Sequence, residues 1–566
     1  MIRAPLIVIL APLIFKCRMA DLSLSDVANQ QWDVIIIGTG VGGATLGYAL
    51  AKAGKRVLFL EKGKSHLGVT DALRGDYAES YFERPGVPQP KHRDILSRAG
   101  RYHGEVEDIS LARPRRFVPF IGSGSGGSSA LYGMALERFF PGDFSPRRNY
   151  PGAPDTTLPE AWPISYETLA PYYKAAEQLY RVRGGGDPLR GEPSPEHFLP
   201  PPPLTAGSQE IFDFFREGGL HPYRLPLACE HVAACECCQG YLCARNCKND
   251  SSSICLEPAI SRYGARMLDG CEVLKFEATR SEVTGVICTR HGEPIKLHAR
   301  TVVLAAGALE TPAILLRSAS DLWPRGLAND SGMVGRNLMR HHIDLYLVTP
   351  RTPGPPDNRQ KELAFNDWYH AGGRKLGSVQ SFGRLPPAPM LAESMEQDIR
   401  DGALPWTAPF FKAIKPLLKP VLGRLVGRSM VLATIMEDLP YLDNGVTISG
   451  PGGGRLCISY RPKEHDLERV SAFRALMSET LRPYRPMLIK QAENNQRIAH
   501  ACGTCRFGVE TNESVLDINN KAHGLANLYA VDSSFFPSSG GTNPSLTIAA
   551  NALRVAHRLL GKAPDY

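Results

Sequence analysis

The stretch that most restricts this chain is DVIIIGTGVGGATLGYALAKAGKRVLFLEKG, residues 33–63. Val34 to Ile37 is an uninterrupted apolar run, which predicts a strand buried on both faces, as in a parallel sheet. Glycines follow at 38, 40 and 43. Gly38 suits a tight turn, Gly40 lets a pyrophosphate approach the backbone, and Gly43 lets the next helix pack close to the strand. Leu46 and Leu50 stand one helical turn apart, and Val57 to Leu60 reads as a second strand. It ends at Glu61, where a carboxylate can meet ribose hydroxyls. The order strand, glycine turn, helix, strand, acid predicts a dinucleotide site with its diphosphate on the helix N-terminus. These residues alone leave FAD and NAD open.

At 566 residues the chain has room for several cores. Its 54 glycines and 46 prolines favour turns and loops over long coiled coils. The +8 formal charge is spread along the chain and selects anionic partners only weakly. No zinc-finger, helix-turn-helix or RNA-binding pattern occurs, so no nucleic-acid partner is expected.

Three distant segments narrow the dinucleotide. GSGSGGSSALYGMALERF (122–139) is a glycine–serine loop before an apolar stretch, and TVVLAAGALETPAILLRSA (301–319) reads as buried strand, glycine turn and helix. HACGTCRFG (500–508) is followed by NLYAVDSSFFPSSGGTNPSLTIAANALRVAHRLLG at the end of the chain. With WPISYETLAPYYKAAEQLY (162–180) and VGRNLMRHH (334–342), this series resembles the glucose-methanol-choline (GMC) oxidoreductases, FAD enzymes that oxidise alcohols.

The resemblance implies an α/β fold with a Rossmann-like FAD domain built from non-contiguous segments and a sheet-and-helix substrate domain. The expected division is an N-terminal extension at 1–30, an FAD domain of 31–165, 225–345 and 500–566, and a substrate domain of 166–224 and 346–499. A cysteine-rich insert occupies 229–255. By resemblance Gly38, Gly40, Gly43 and Glu61 hold the ADP half of FAD, Gly126, Gly127 and Ser128 run along the cofactor, and Val273 sits by the adenine. Asp532 meets the pyrophosphate and ribityl chain, and His500 and Asn543 face the flavin and the substrate. No histidine occurs in the 126–133 loop, so FAD is expected to be non-covalent.

Oxidising an alcohol needs a base for the hydroxyl proton while hydride leaves the same carbon, and imidazole suits that task near neutral pH. His500 is the candidate base and Asn543 the group that orients the substrate oxygen; the other histidines, His341 and His342 included, are read as structural. Leu546, Ala549, Leu553, Ala556 and Leu560 repeat at helical spacing before Gly561. This predicts a closing helix with Asn543 as N-cap and Pro544 at the first position, its positive end toward the flavin. The implied function is oxidation of the CH–OH group of a small alcohol, polyol or sugar, with electrons passed to a cytochrome or quinone. A peroxide-forming oxidase and a non-redox flavoprotein lyase are the alternatives.

CECCQGYLCARNC (235–247) belongs to a group of seven cysteines within residues 229–255, out of 13 in the chain. Random scatter does not produce that density. Cys237, Cys238, Cys243 and Cys247 form C-C-x4-C-x3-C, whose spacing resembles the cluster-bearing glucose, sorbitol and gluconate dehydrogenases of the family. An iron–sulfur cluster leads, with zinc or unligated thiols as alternatives. Lys248 stands where those dehydrogenases carry proline.

The N-terminal run Ala4 to Phe15 has the length of a signal-peptide core but lacks a small-residue cleavage site. A cytoplasmic location is expected, with periplasmic or membrane-associated placement through that segment as the alternative. PFFKAIKPLLKPVLGRLVGR (409–428) mixes apolar and basic residues without an acid. Pro416 and Pro420 are expected to break it into solvated surface pieces, with a membrane-surface or acceptor-docking patch as the alternative, and residues 345–440 to form the substrate half and its lid.

Overall fold

The computed structural model describes residues 24–562 except 85, 111–112, 154, 192–194, 353–360, 402–404, 451–453 and 496–497. The apolar N-terminal run therefore lies outside the described residues. Trp32–Ile37 and Val57–Leu60 form adjacent parallel strands joined by the helix Val41–Lys52. Parallel partners extend them to five strands, in the order 528–530, 299–304, 32–37, 57–60, 266–268. Ile35, Ile36, Leu58 and Phe59 are fully buried, as expected of strands covered on both faces. The closing helix, Ser545–Leu560, ends at Gly561 in the left-handed conformation that a glycine cap allows. It packs on Val41–Lys52 and on Tyr166–Leu179.

A second sheet of six antiparallel strands runs 487–489, 342–348, 430–436, 377–382, 363–365, 223–224. Its side chains alternate between faces with period two. Tyr346, Val348, Leu432 and Val379 pack in one core with Phe215 and Phe473, which lie on helices Ala206–Glu217 and Glu464–Thr480. The opposite face presents Ile343, Leu345, Gln380, Phe382, Ala433 and Ile435 to a cleft against the parallel sheet. A three-stranded sheet over 271–297 brings Val273 to the far end of the same cleft.

Two local expectations are corrected. The closing helix starts at Ser545, with Pro544 in the cap position, and the Asn543 side chain makes no cap bond. Ala408–Val426 is one continuous helix through Pro416 and Pro420. Both prolines sit on its exposed side, as does Lys412, one turn before Pro416. The carbonyl that loses an N–H partner there can therefore be satisfied by water.

Candidate functional site

The cleft has a volume of about 740 Å³ and runs from the glycine turn to the inner face of the six-stranded sheet. The three fingerprint glycines have different physical reasons. A Cβ on Gly38 (φ 97°) would stand 2.4 Å from the Ala305 carbonyl oxygen, and one on Gly43 would stand 2.2 Å from that of Gly38. Both positions are closed by backbone. A Cβ on Gly40 meets nothing within 4 Å, and Gly40 lines the cleft, so its missing side chain leaves a cradle at the N-terminus of helix Val41–Lys52. No side chain caps that helix start, which leaves its N–H groups to an anion.

Glu61 lines the cleft with its oxygens engaged by protein donors. Oε2 accepts from the Thr39 amide (3.1 Å) and hydroxyl (2.7 Å), and Oε1 from the amides of Gly63 (3.0 Å) and Gly124 (2.9 Å). The carboxylate thus ties the glycine turn to the 122–128 loop. In that loop Gly127 and Ser128 face the cleft, while a Cβ on Gly126 would come within 3.0 Å of the Ser252 Cβ, marking a packing position. Asp532 also faces the cleft. Its Oδ2 accepts from the Gly307 amide (3.0 Å) and the Thr311 hydroxyl (2.5 Å), and burial raises its pKa.

At the other end His500 sits in a left-handed backbone conformation (φ 58°), a costly geometry that its surroundings must hold. Its Nδ1 lies 3.0 Å from Nδ1 of His341. His341 Nε2 lies 3.0 Å from the Ser539 carbonyl and 2.9 Å from the Gly540 carbonyl, two groups that only accept. The proton of neutral His341 is therefore assigned to Nε2, and its Nδ1 accepts. It follows that His500 donates from Nδ1, leaving a bare lone pair on Nε2. Burial, then the neighbouring His341 and Lys361, hold the His500 pKa well below the usual histidine value. The base is neutral at physiological pH.

Asn543 Oδ1 accepts from Gln380 Nε2 at 2.9 Å, so the Asn543 amide NH2 is the end left for a ligand. Gln380 Oε1 is buried without a hydrogen-bond partner and belongs to the cleft wall, an orphan acceptor suited to a ligand donor. Lys361 lines the same cleft, bonded to Gln239 Oε1 at 3.3 Å, and burial lowers its pKa to about 8.

His341, Gln380, Lys361 and Gln239 were not singled out as site residues from sequence. The doublet His341–His342 in VGRNLMRHH was a signal for the first. The two histidines differ: His341 faces the cleft, whereas His342 approaches Asp466 at 3.9 Å away from it. Leu131 and Tyr132 line the cleft, and the Tyr132 hydroxyl donates to the Asn249 carbonyl.

The cysteine-rich segment flanks this end of the cleft through Gln239 and Gly240. All twelve described cysteines are unbridged and buried. Sulfur pairs link Cys229 to Cys235 (3.6 Å), Cys235 to Cys247 (3.3 Å) and Cys247 to Cys243 (3.6 Å). Ligand atoms of Cys229, His231, Cys235 and Cys237 lie within 4.8 Å of one another. Of the four cysteines expected as ligands, Cys237 falls in that quartet, while Cys247 and Cys243 continue the chain of sulfurs and Cys238 adjoins Cys243. Lys248 Nζ is buried and donates to the carbonyls of Ala130 (2.9 Å) and Tyr241 (3.1 Å). Burial lowers the Lys248 pKa, and the neighbouring Cys238, Asp250 and Cys243 oppose that shift.

The chain matches the GMC oxidoreductase family over residues 226–343 and 444–552, and a NAD(P)-binding Rossmann-like domain over 36–98. It is 28% identical to paromamine 6'-oxidase of Streptomyces fradiae, over 94% of this chain and 92% of that one. With 2-methyl-1,2-propanediol dehydrogenase of Mycolicibacterium austroafricanum it shares 27% identity over 95% and 96%. Pyridoxine 4-oxidase from Mesorbium loti has the same fold, with a TM-score of 0.60 at 21% identity over 94% of this chain and 99% of that one.

Proposed function

Because the chain belongs to the GMC oxidoreductase family, we propose that it is an FAD-dependent oxidoreductase that converts the CH–OH group of an alcohol, polyol or sugar to a carbonyl. The observation that carries this reading is the His341–His500 hydrogen bond, which leaves His500 Nε2 unprotonated in the cleft. His500 Nε2 takes the hydroxyl proton of the substrate, and the Asn543 NH2 group donates to the substrate oxygen. FAD, when bound, would supply the two-electron acceptor for the carbinol hydride. Gly38, Gly40, Gly43, Glu61 and Asp532 would hold its nucleotide and diphosphate parts, Val273 its adenine, and Gly127 and Ser128 its length. The amides at the start of the closing helix turn their positive end to the cleft and favour negative charge there.

The cluster of thiols supports a one-electron exit to a cytochrome or quinone. Its donors are all thiols apart from His231, an arrangement suited to iron and sulfide, with Cys237, Cys238, Cys243 and Cys247 as the proposed ligand set. An anaerobic screen of alcohols that follows loss of flavin absorbance tests the reaction, and a lyase would leave the flavin oxidised. Peroxide release in air separates an oxidase from a dehydrogenase. Acid precipitation should free the yellow colour into the supernatant, whereas colour in the pellet would reveal a covalent link.

A further inference from the structure

The helix Ala408–Val426 has two apolar sides. Its inner side buries Ala408, Lys415 and Leu422 at seven-residue spacing, with Lys415 Nζ bonded to Glu393 (2.7 Å) and Glu396 (2.5 Å) of the neighbouring helix Ala388–Asp401. Its outer side exposes Phe410 (71%), Leu417 (76%) and Val421 (63%), with Trp406 (75%) just before the helix. Among the described residues, these are four of the five large apolar side chains more than 60% exposed. A water-soluble surface rarely gathers such side chains on one strip without a partner. Arg424 and Arg428 are exposed beside the strip, and residues 402–436 contain no acid.

We propose that this outer face docks on an anionic lipid bilayer. Apolar residues with basic neighbours and a tryptophan at the end match the apolar boundary and the negative headgroups of such a surface. At 19 residues the helix is about 28 Å long, and no described helix is long and apolar enough to cross a membrane, so it lies in the interface plane. The neighbouring helix brings Met390 and Leu391 to the cleft wall, where they join Leu345, Phe382 and Leu385. Docking therefore places the helix pair that borders this apolar stretch of the cleft against the bilayer, the side from which an alcohol dissolved in lipid would approach. That consequence rests on the proposed oxidation; the docking does not.

The test is flotation of the full-length holoprotein with vesicles of phosphatidylcholine alone or mixed with phosphatidylglycerol. Wild type should float with the mixed vesicles, and Phe410→Ser with Leu417→Ser should weaken that binding about tenfold or more. Arg424→Glu with Arg428→Glu should remove the preference for phosphatidylglycerol. Turnover of a water-soluble alcohol should be unchanged in every variant, which separates this claim from the catalytic one. No flotation, or equal flotation of wild type and Phe410→Ser/Leu417→Ser, would overturn the proposal. So would a wild-type dimer that ignores vesicles and becomes monomeric in that variant, because the face would then belong to a second copy.

Discussion

His341 accepts a hydrogen bond from His500 only because two carbonyls, at Ser539 and Gly540, fix its own proton on Nε2. The base is therefore set by residues 159 and about 200 positions apart in sequence. That is why the proton arrangement around the base could not be read from the chain. HACGTC and TNPS marked His500 and Asn543 through their resemblance to family motifs, but nothing local ranks His341 above His342, and Gln380 is placed by the register of an antiparallel strand. Replacing His341 by alanine removes both the acceptor and a neighbour that lowers the His500 pKa. Flavin reduction should slow, and its acid limb should move toward the usual histidine value; a slower rate with an unmoved limb would assign His341 a merely structural part. In wild type the sign is clear. Burial disfavours the imidazolium, so the neutral base persists below pH 6.5 and activity is lost only as pH falls through the lowered pKa. A pH profile of kcat/KM should be flat from about pH 6.5 through neutrality. A profile that halves near pH 7 would contradict this.

Among the elements, the strand–glycine–helix unit was the most legible, because period, turn and acid all agree locally. Val57–Leu60 has the bounds read from sequence, and the first strand starts two residues earlier. The six-stranded sheet was not legible: its strands come from 223 to 489, and their order depends on long-range pairing. The helix through Pro416 and Pro420 was misjudged because a proline breaks a helix only where the lost bond has no substitute. Within the glycine turn, two substitutions separate folding from binding. Gly43→Ala forces a methyl group to 2.2 Å from a carbonyl oxygen and should cost about 1–3 kcal/mol in chemical denaturation. Gly40→Ala puts its methyl group into the open cradle. It should leave the apoprotein's stability nearly unchanged and weaken FAD binding, measured by flavin fluorescence titration. Equal stability losses in both variants would remove the distinction.

For the whole molecule, the two sheets face each other across one cleft, and the sulfur-rich segment borders that cleft at Gln239 and Gly240. Cysteine density pointed to a centre, but the approach of Cys229, His231 and Cys235 to Cys237 depends on left-handed backbone at His231, Ala234 and Cys237, which no propensity announces. Protein purified without oxygen should contain iron and acid-labile sulfide and give a paramagnetic signal in one redox state. Zinc, or no metal in protein whose flavin is still bleached by alcohol, would end that assignment. The central claim is that His500 removes the hydroxyl proton as hydride leaves the carbinol carbon. Its most direct test is anaerobic stopped-flow reduction of the bound flavin by alcohol, in wild type and in His500→Ala with FAD content matched. The predicted result is rapid bleaching in wild type and a rate lower by about 10²-fold or more in the variant. Bleaching of His500→Ala at the wild-type rate would contradict it.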